Sequence, residues 1–284
     1  MSNRRYASVG DDAMKAATNK NVPLSRTDAQ LVIRRVDLQR PRQWLMAGIN
    51  DFRVAMSVSL AYGLFWVGLS LAVTAVAFSL GLWHWLLPMI AGFMFLGPLV
   101  AVGSYGVSRR LGEGGQPTLG DAFGAWMSHT GQLAMMGVMM MIFFMAWIRV
   151  ATLLFALFFG YYIPSPETLY VALFTTAEGL GMLVVGVGVG AVLAFGAFSI
   201  SVIAIPTLLD RDLTFMEGIE ASIKSVACNF RPMLLWAAIL TGCTVIGMVT
   251  FYLGLAVILP VLGHATWHAY EDLVGIERND SVAE

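Results

Sequence analysis

The stretch Val54-AMSVSLAYGLFWVGLSLAVTAVAF-Ser79 runs for 26 residues without a charged side chain. A helix of that length is about 39 Å long at 1.5 Å per residue, more than the ~30 Å hydrocarbon layer of a bilayer. It is apolar all round, whereas a surface helix of a soluble protein carries one apolar stripe. This run therefore predicts a transmembrane helix, and the chain beyond it repeats the signal. Trp85–Val107 follows after a short link at Gly81-LWH-Trp85. Leu133–Phe159 is the third span, and Tyr161-Tyr-Ile-Pro-Ser-Pro166 is a turn with two prolines. The fourth run, Leu169–Ile205, is too long for one perpendicular crossing, so it is expected to tilt or project. The last, Met233–Leu262, fits one tilted helix or two short helices turning near Thr250–Gly254.

Composition agrees. The chain is 58% hydrophobic and 12% charged, with a mean hydropathy of +0.73. A soluble domain carries about 25% charged residues, so this surface cannot be covered in water. A soluble enzyme, a disordered chain and a nucleic-acid-binding domain are excluded as classes. The expected partner is the lipid bilayer, with no nucleic acid.

The charges are uneven. Residues 1–53 hold ten Lys/Arg against five acids, and the rest holds seven against thirteen. A basic segment before the first span places the N-terminus in the cytoplasm by the positive-inside rule, in a bacterial inner membrane. The first long apolar run starts too late for a cleaved signal peptide. Cys228 and Cys243 form no CxxC pattern and support neither a disulfide framework nor a zinc site.

Residues 1–36 read as a flexible basic segment ending in a short extended piece, Leu31-VIRR-Val36. A helix starts near Pro41. Its residues Trp44, Leu45, Gly48, Ile49 and Phe52 form an apolar face expected at the headgroup boundary over 41–53. Similar interfacial helices are predicted at 118–131 and 214–229. Thr118-Leu-Gly-Asp121 and Thr214-Phe-Met-Glu217 are both capping-box starts, each after a charged loop and each leading into a span. The unit is an interfacial helix followed by a transmembrane hairpin, used up to three times. Pro98-LVAVGSYGVSRR-Leu111 also lies over Pro260-VLGHATWHAYED-Leu273 without a gap. That alignment pairs Ser104 with Thr266 and Tyr105 with Trp267, and predicts a sixth span at 255–273 with both termini cytoplasmic. The expected fold is an all-α polytopic membrane protein with about six spans (54–79, 85–107, 133–159, 169–205, 233–250, 255–273) within a domain at 37–275, then a tail at 276–284. The alternative is five spans with an external C-terminus.

Arg149 and Glu178 are the charges that fall well inside apolar spans. A charge at that depth costs about 2.5–3.5 kcal/mol on insertion scales and needs a partner or water. A hairpin centred on Pro164 puts them at equal depth, so an intramembrane ion pair is predicted. It is either a structural clamp or a polar site for an ion, proton or anionic group. His264 and His268, four apart and followed by Glu271 and Asp272, have ligand-compatible spacing for a metal or haem, with His129 on the same side. The plainer reading is aromatic–polar anchoring with Trp267 and Tyr270. His84, between Trp83 and Trp85, suits an aromatic belt on the other side. Gly186-x3-Gly190-x3-Ala194 is a small-residue stripe for helix packing, and the glycines around it are no phosphate loop because no strand precedes them. The methionines of Met135–Met145 read as packing, not as a copper relay.

The segments Asp37-LQRPRQWLMAGINDF-Arg53, Ser59-LAYGL-Phe65 and Gly263-HATWHAYEDL-Val274 resemble an uncharacterised bacterial family of predicted integral membrane proteins. Some members carry a putative cytochrome c oxidase subunit label. The resemblance implies a multi-pass membrane fold but no established activity, substrate or catalytic residue. The family's closing motif usually has Arg where this chain has Glu271. A haem–copper catalytic subunit needs about six His ligands, and this chain has four His in all. The expected role is a non-enzymatic accessory, scaffold or assembly component without a cofactor, with membrane proteins such as respiratory complexes as partners. The alternatives are a small-solute or ion transporter or channel using Arg149 and Glu178, and a metal- or haem-binding respiratory accessory using His264 and His268.

Overall fold

The computed structural model describes residues 22–23, 29–82, 85–128, 130–160 and 165–278. His84, His129, the turn at 161–164, most of the basic N-terminal segment and residues 279–284 lie outside the described residues. The elements run β1 (Val22–Pro23), β2 (Ala29–Ile33), α1 (Arg40–Val54), α2 (Met56–Ser79), α3 (Leu86–Val100), α4 (Val102–Gly112), α5 (Leu119–Gly124), α6 (Thr130–Phe159), α7 (Pro166–Thr175), α8 (Ala177–Ser201), α9 (Ala204–Asp210), α10 (Phe215–Cys228), α11 (Phe230–Val249), α12 (Leu255–Leu273) and β3 (Val274–Arg278). Among the described residues five helical stretches are long and apolar enough to cross a membrane: Met56–Ser79, Pro88–Gly112, Thr130–Phe159, Ala177–Asp210 and Phe230–Val249. The protein is an all-α polytopic membrane protein.

Two of these stretches break, and the breaks divide the molecule into layers. Pro98 removes an N–H from its helix and crowds the carbonyl one turn earlier, and α3 gives way to α4 at Ala101. The Tyr62 hydroxyl bridges the break: it donates to the Val100 carbonyl at 2.7 Å and accepts from Gly103 N–H at 3.2 Å. Between α8 and α9 the freed Ile203 N–H donates to Ser222 Oγ of α10 at 3.1 Å. Beyond the breaks, α4, α9 and the second half of α12 form a buried layer, and together with the neighbouring α1, α10 and the segments that join them this side of the molecule holds most of the described charges. Arg109 donates to the Leu209 carbonyl at 3.1 Å, while the Tyr270 hydroxyl joins Asp210 at 2.5 Å and accepts from Arg211 Nε at 2.8 Å. These bonds tie the three helix ends together.

Both capping boxes form. Thr118 and Asp121 cap α5, and Thr214 and Glu217 cap α10. α5 is shorter than its sequence predicts, because the chain goes into turns after Gly124. The run expected as one long span at 169–205 is instead three helices. Thr176 is extended and caps α8 by accepting from Gly179 N–H, and α7 folds back so that Gly179 lies against the backbone of Ala172 and Leu173.

The last apolar run is two helices. Phe251 and Tyr252 take left-handed φ values of 53° and 65°, costly for residues with a Cβ, and they close the turn between α11 and α12. α12 covers the range expected for the sixth span, but only Leu255–Leu262 is purely apolar. From Gly263 on it lies in the charged layer, against α1 and α4. β3 then pairs antiparallel with β2, Leu31 opposite Ile276 and Ile33 opposite Val274, so residues 29–33 and 274–278 lie on one side.

α1 and α2 form one bent rod, and α12 runs back along it. At Gly48 an added Cβ would lie 2.5 Å from Ala265 N and 2.6 Å from the Val261 carbonyl. At Gly63 it would collide with the backbone of Ala256. A methyl group there forces the two backbones apart, a strain of about 1–3 kcal/mol. Gly63→Ala is expected to lower thermal stability in detergent by that amount. Gly68→Ala, where nothing lies within 4 Å, is expected to leave it unchanged. Equal melting of the two variants would contradict the packing.

Candidate functional site

Where α1, α2, α4 and α12 meet, five polar side chains form one chain of hydrogen bonds. Asp51 projects from the buried face of α1, beside Trp44, Gly48 and Phe52. Ser59 comes from the first turn of α2, Ser108 from α4, and His264 and His268 from α12. Ser59 Oγ lies 2.9 Å from His264 Nε2, and Ser108 Oγ lies 2.8 Å from His264 Nδ1. Ser108 Oγ donates to Asp51 Oδ2 at 2.7 Å, and His268 Nε2 reaches the same oxygen at 2.9 Å. His268 Nδ1 lies 3.2 Å from Glu271 Oε2.

The bonds fix the proton positions. Ser108 donates its O–H to Asp51, so its oxygen accepts from His264 Nδ1–H, and His264 Nε2 accepts from the Ser59 hydroxyl. Both imidazole nitrogens of His264 are thus engaged, and the side chain is fully buried. Burial drives its pKa down to about 4 from 6.5 and keeps the ring neutral, against the pull of Asp51. Hydrogen bonds to Asp51 and then Glu271 raise His268 to about 9. Burial pushes Asp51 upward, but the bonds from His268 and Ser108 outweigh it and its pKa is lowered. A small recess of about 290 Å³, lined by Asn50, Asp51, Ser108, His268 and Glu271 among others, opens onto the network.

The structure brings His264 and His268 together with residues that the sequence reading did not single out. Among the described residues no group of three or more His, Cys, Asp or Glu is placed to hold a metal ion. The anchoring reading is corrected too. Trp267 and Tyr270 are 2% and 1% exposed and pack in the core, with Trp267 against Tyr105 at 6.4 Å. The signal for Asp51 was available: an acid three residues after Gly48 and seven after Trp44 falls on the apolar face.

Arg149 and Glu178 are not brought together. Phe158 faces Gly181, Leu154 faces Gly186, Trp147 faces Gly190 and Phe143 faces Gly196. Facing residue numbers therefore sum to about 339, not 327, because α7 lies between the two long helices. Arg149 is level with Gly190, about 18 Å along the axis from Glu178. Both are exposed, and neither takes part in an ion pair among the described residues.

A second feature lies in the span layer. A cavity of about 1040 Å³ separates α3, α6 and α8 from α11 and α12. Its lining has no charged side chain, and its polar groups are Tyr105, Trp147, Thr241, Thr244 and Thr266. Trp147 Nε1 is already bonded to the Pro88 carbonyl. Val187, Leu234 and Val245 line it and are also 69%, 47% and 48% exposed, so it is a cleft open sideways. Gly186, Gly190 and Ala194, the small-residue stripe, form part of one wall. Phe195 and Phe230 meet edge-on at 5.9 Å at its base.

The network sets a pH dependence. Between pH 4 and 6.5 the unfolded chain binds a proton at His264 that the folded chain refuses, so stability rises with pH. Between 6.5 and 9 the folded chain keeps a proton on His268 that the unfolded chain loses, so stability falls. Thermal unfolding in detergent is expected to show greatest stability near pH 6.5, and His268→Gln is expected to flatten the alkaline arm. Stability that keeps rising above pH 7 contradicts this assignment. For Arg149 and Glu178, separated by about 18 Å, a double-mutant cycle is expected to give additive effects within about 0.5 kcal/mol. A larger coupling energy would restore the ion pair.

No curated protein and no solved structure matches the chain. Residues 86–210, from α3 through α9, match the model of a family described as a predicted integral membrane protein (DUF2189), and over that region the resemblance to this uncharacterised family is shown.

Proposed function

We propose that the chain is a non-enzymatic accessory component of a bacterial inner membrane that assists other membrane constituents by holding an apolar one in the cleft between α8 and α11. The cleft carries this reading. It has the size of a ligand site, about 300–1,000 Å³ being usual, it opens toward lipid, and it has no charged lining group. An apolar cavity does not hold water, which favours an apolar occupant over a solute in transit. The polar network favours a structural role over catalysis, because the Ser108 hydroxyl donates its hydrogen bond to Asp51 and its oxygen is engaged by His264.

The paired strands and the charged layer are assigned to the cytoplasm. That layer carries Arg34, Arg35, Arg40, Arg42, Arg53, Arg109, Arg110, Arg211, Lys224 and Arg231, in accord with the positive-inside rule. A fluorescent protein fused after Glu284 is expected to fluoresce, and alkaline phosphatase at the same position to be inactive. The opposite pair of results would invert the orientation.

The cleft reading is tested by purification from native membranes in mild detergent, with identification of everything retained. Nothing lies within 4 Å of where a Cβ would stand at Gly242 in the cleft wall, so Gly242→Phe places a ring in the cleft and narrows it. The wild type is expected to retain an apolar molecule or a membrane protein that the variant loses. Identical contents in the two would overturn the reading.

A further inference from the structure

We infer that the cleft is a site for an anionic phospholipid, with an acyl chain between α8 and α11 and the phosphate over Arg231. The inference rests on the reading of the cleft given above and names its occupant.

At about 1040 Å³ the cleft has the volume of a small-ligand site, about 300–1,000 Å³ being usual, which suits a single acyl chain. The walls are made for a thin occupant. Ala238 and Gly242 line the cleft on α11, and nothing lies within 4 Å of where a Cβ would stand at Gly242, so that wall leaves a gap.

Charge fixes the lipid class. Leu234 lines the lower end of the cleft on α11, and Arg231 lies three residues earlier, on the same side of the helix one turn below. Arg231 is exposed, and it makes no ion pair or side-chain hydrogen bond among the described residues. Five cations of the charged layer are engaged, Arg40 with Asp272, Arg109 with Glu113 and Asp210, Arg110 with Glu113, Arg211 with Asp210 and Lys224 with Glu220; what sets Arg231 apart from the remaining unpaired arginines is its place one turn below the cleft. Arg231 thus stands at the height where a headgroup meets water, directly below the apolar cleft. A guanidinium recognises a phosphate through paired N–H donors. One chain in the slot and one phosphate on Arg231 satisfy both groups.

The test uses the full-length protein in detergent, offered phosphatidylglycerol or phosphatidylcholine vesicles, with retained lipid counted by native mass spectrometry. The wild type is expected to hold phosphatidylglycerol in preference. Arg231→Gln is expected to lower that retention about five-fold, in line with one cation at a membrane surface, and to abolish the preference. Gly242→Phe is expected to remove retention of both lipids. Arg42→Gln, an exposed control outside the cleft, is expected to change nothing. Equal retention of the two lipids by the wild type, with loss in Gly242→Phe, overturns the anionic assignment and leaves the cleft reading standing. A co-purified polypeptide released by Gly242→Phe overturns the lipid and supports a protein occupant. No retention of anything overturns both.

Discussion

Gly48 and Gly63 allow α12 to lie in backbone contact with α1 and α2, and the charged layer is organised around that contact. Without a Cβ on either glycine the helices approach until Asp51, Ser59 and Ser108 reach the two histidines of α12. Small residues at such a seam gain dispersion contacts along the whole helix, which matters where lipid tails compete equally well for apolar side chains. The polar bonds then act as a register device. Sliding α12 by one turn would leave His264 buried with neither serine, and an unpartnered buried ring is costly.

The same logic recurs at the helix breaks. Each break frees backbone groups within buried surroundings, and each is met by one hydroxyl from another element, Tyr62 or Ser222. The cost of bending is thereby offset locally, and the two short extensions α4 and α9 can turn inward to meet α12. The buried layer is held by directional bonds among a few helix ends. The span layer is held more loosely, by small-residue contacts, and there the helices diverge enough to leave the cleft.

Much of this architecture was legible in the sequence because it rests on strong, local signals. Runs of apolar residues gave the spans, and both capping boxes formed at Thr118 and Thr214. The gap-free alignment of residues 98–111 with 260–273 also has a spatial counterpart, since Tyr105 and Trp267 pack side by side. What sequence could not give was depth. The expected pairing of Arg149 with Glu178 assumed a symmetric hairpin, and one extended residue, Thr176, together with the folded-back α7 shifted the register by about twelve residues. The polar network was half visible. Two histidines four apart drew attention, but their partners are single serines and one aspartate from distant helices, and no spacing rule connects them. Trp267 and Tyr270 looked interfacial because aromatic residues near charges often are, yet tertiary packing enclosed them.

The strand pair β2–β3 has a bearing on how the chain is made. β2 is complete once residue 33 has been synthesised, whereas its partner is finished only at residue 278. Through the intervening synthesis and insertion of every span, the Leu31–Ile33 edge offers unpaired backbone groups and three apolar side chains to its surroundings. Closure is a contact of very long sequence separation, so it comes late. A segment made after every span thus seals one made before them, and a chain truncated before Val274 would be inserted yet left with an open, adhesive edge.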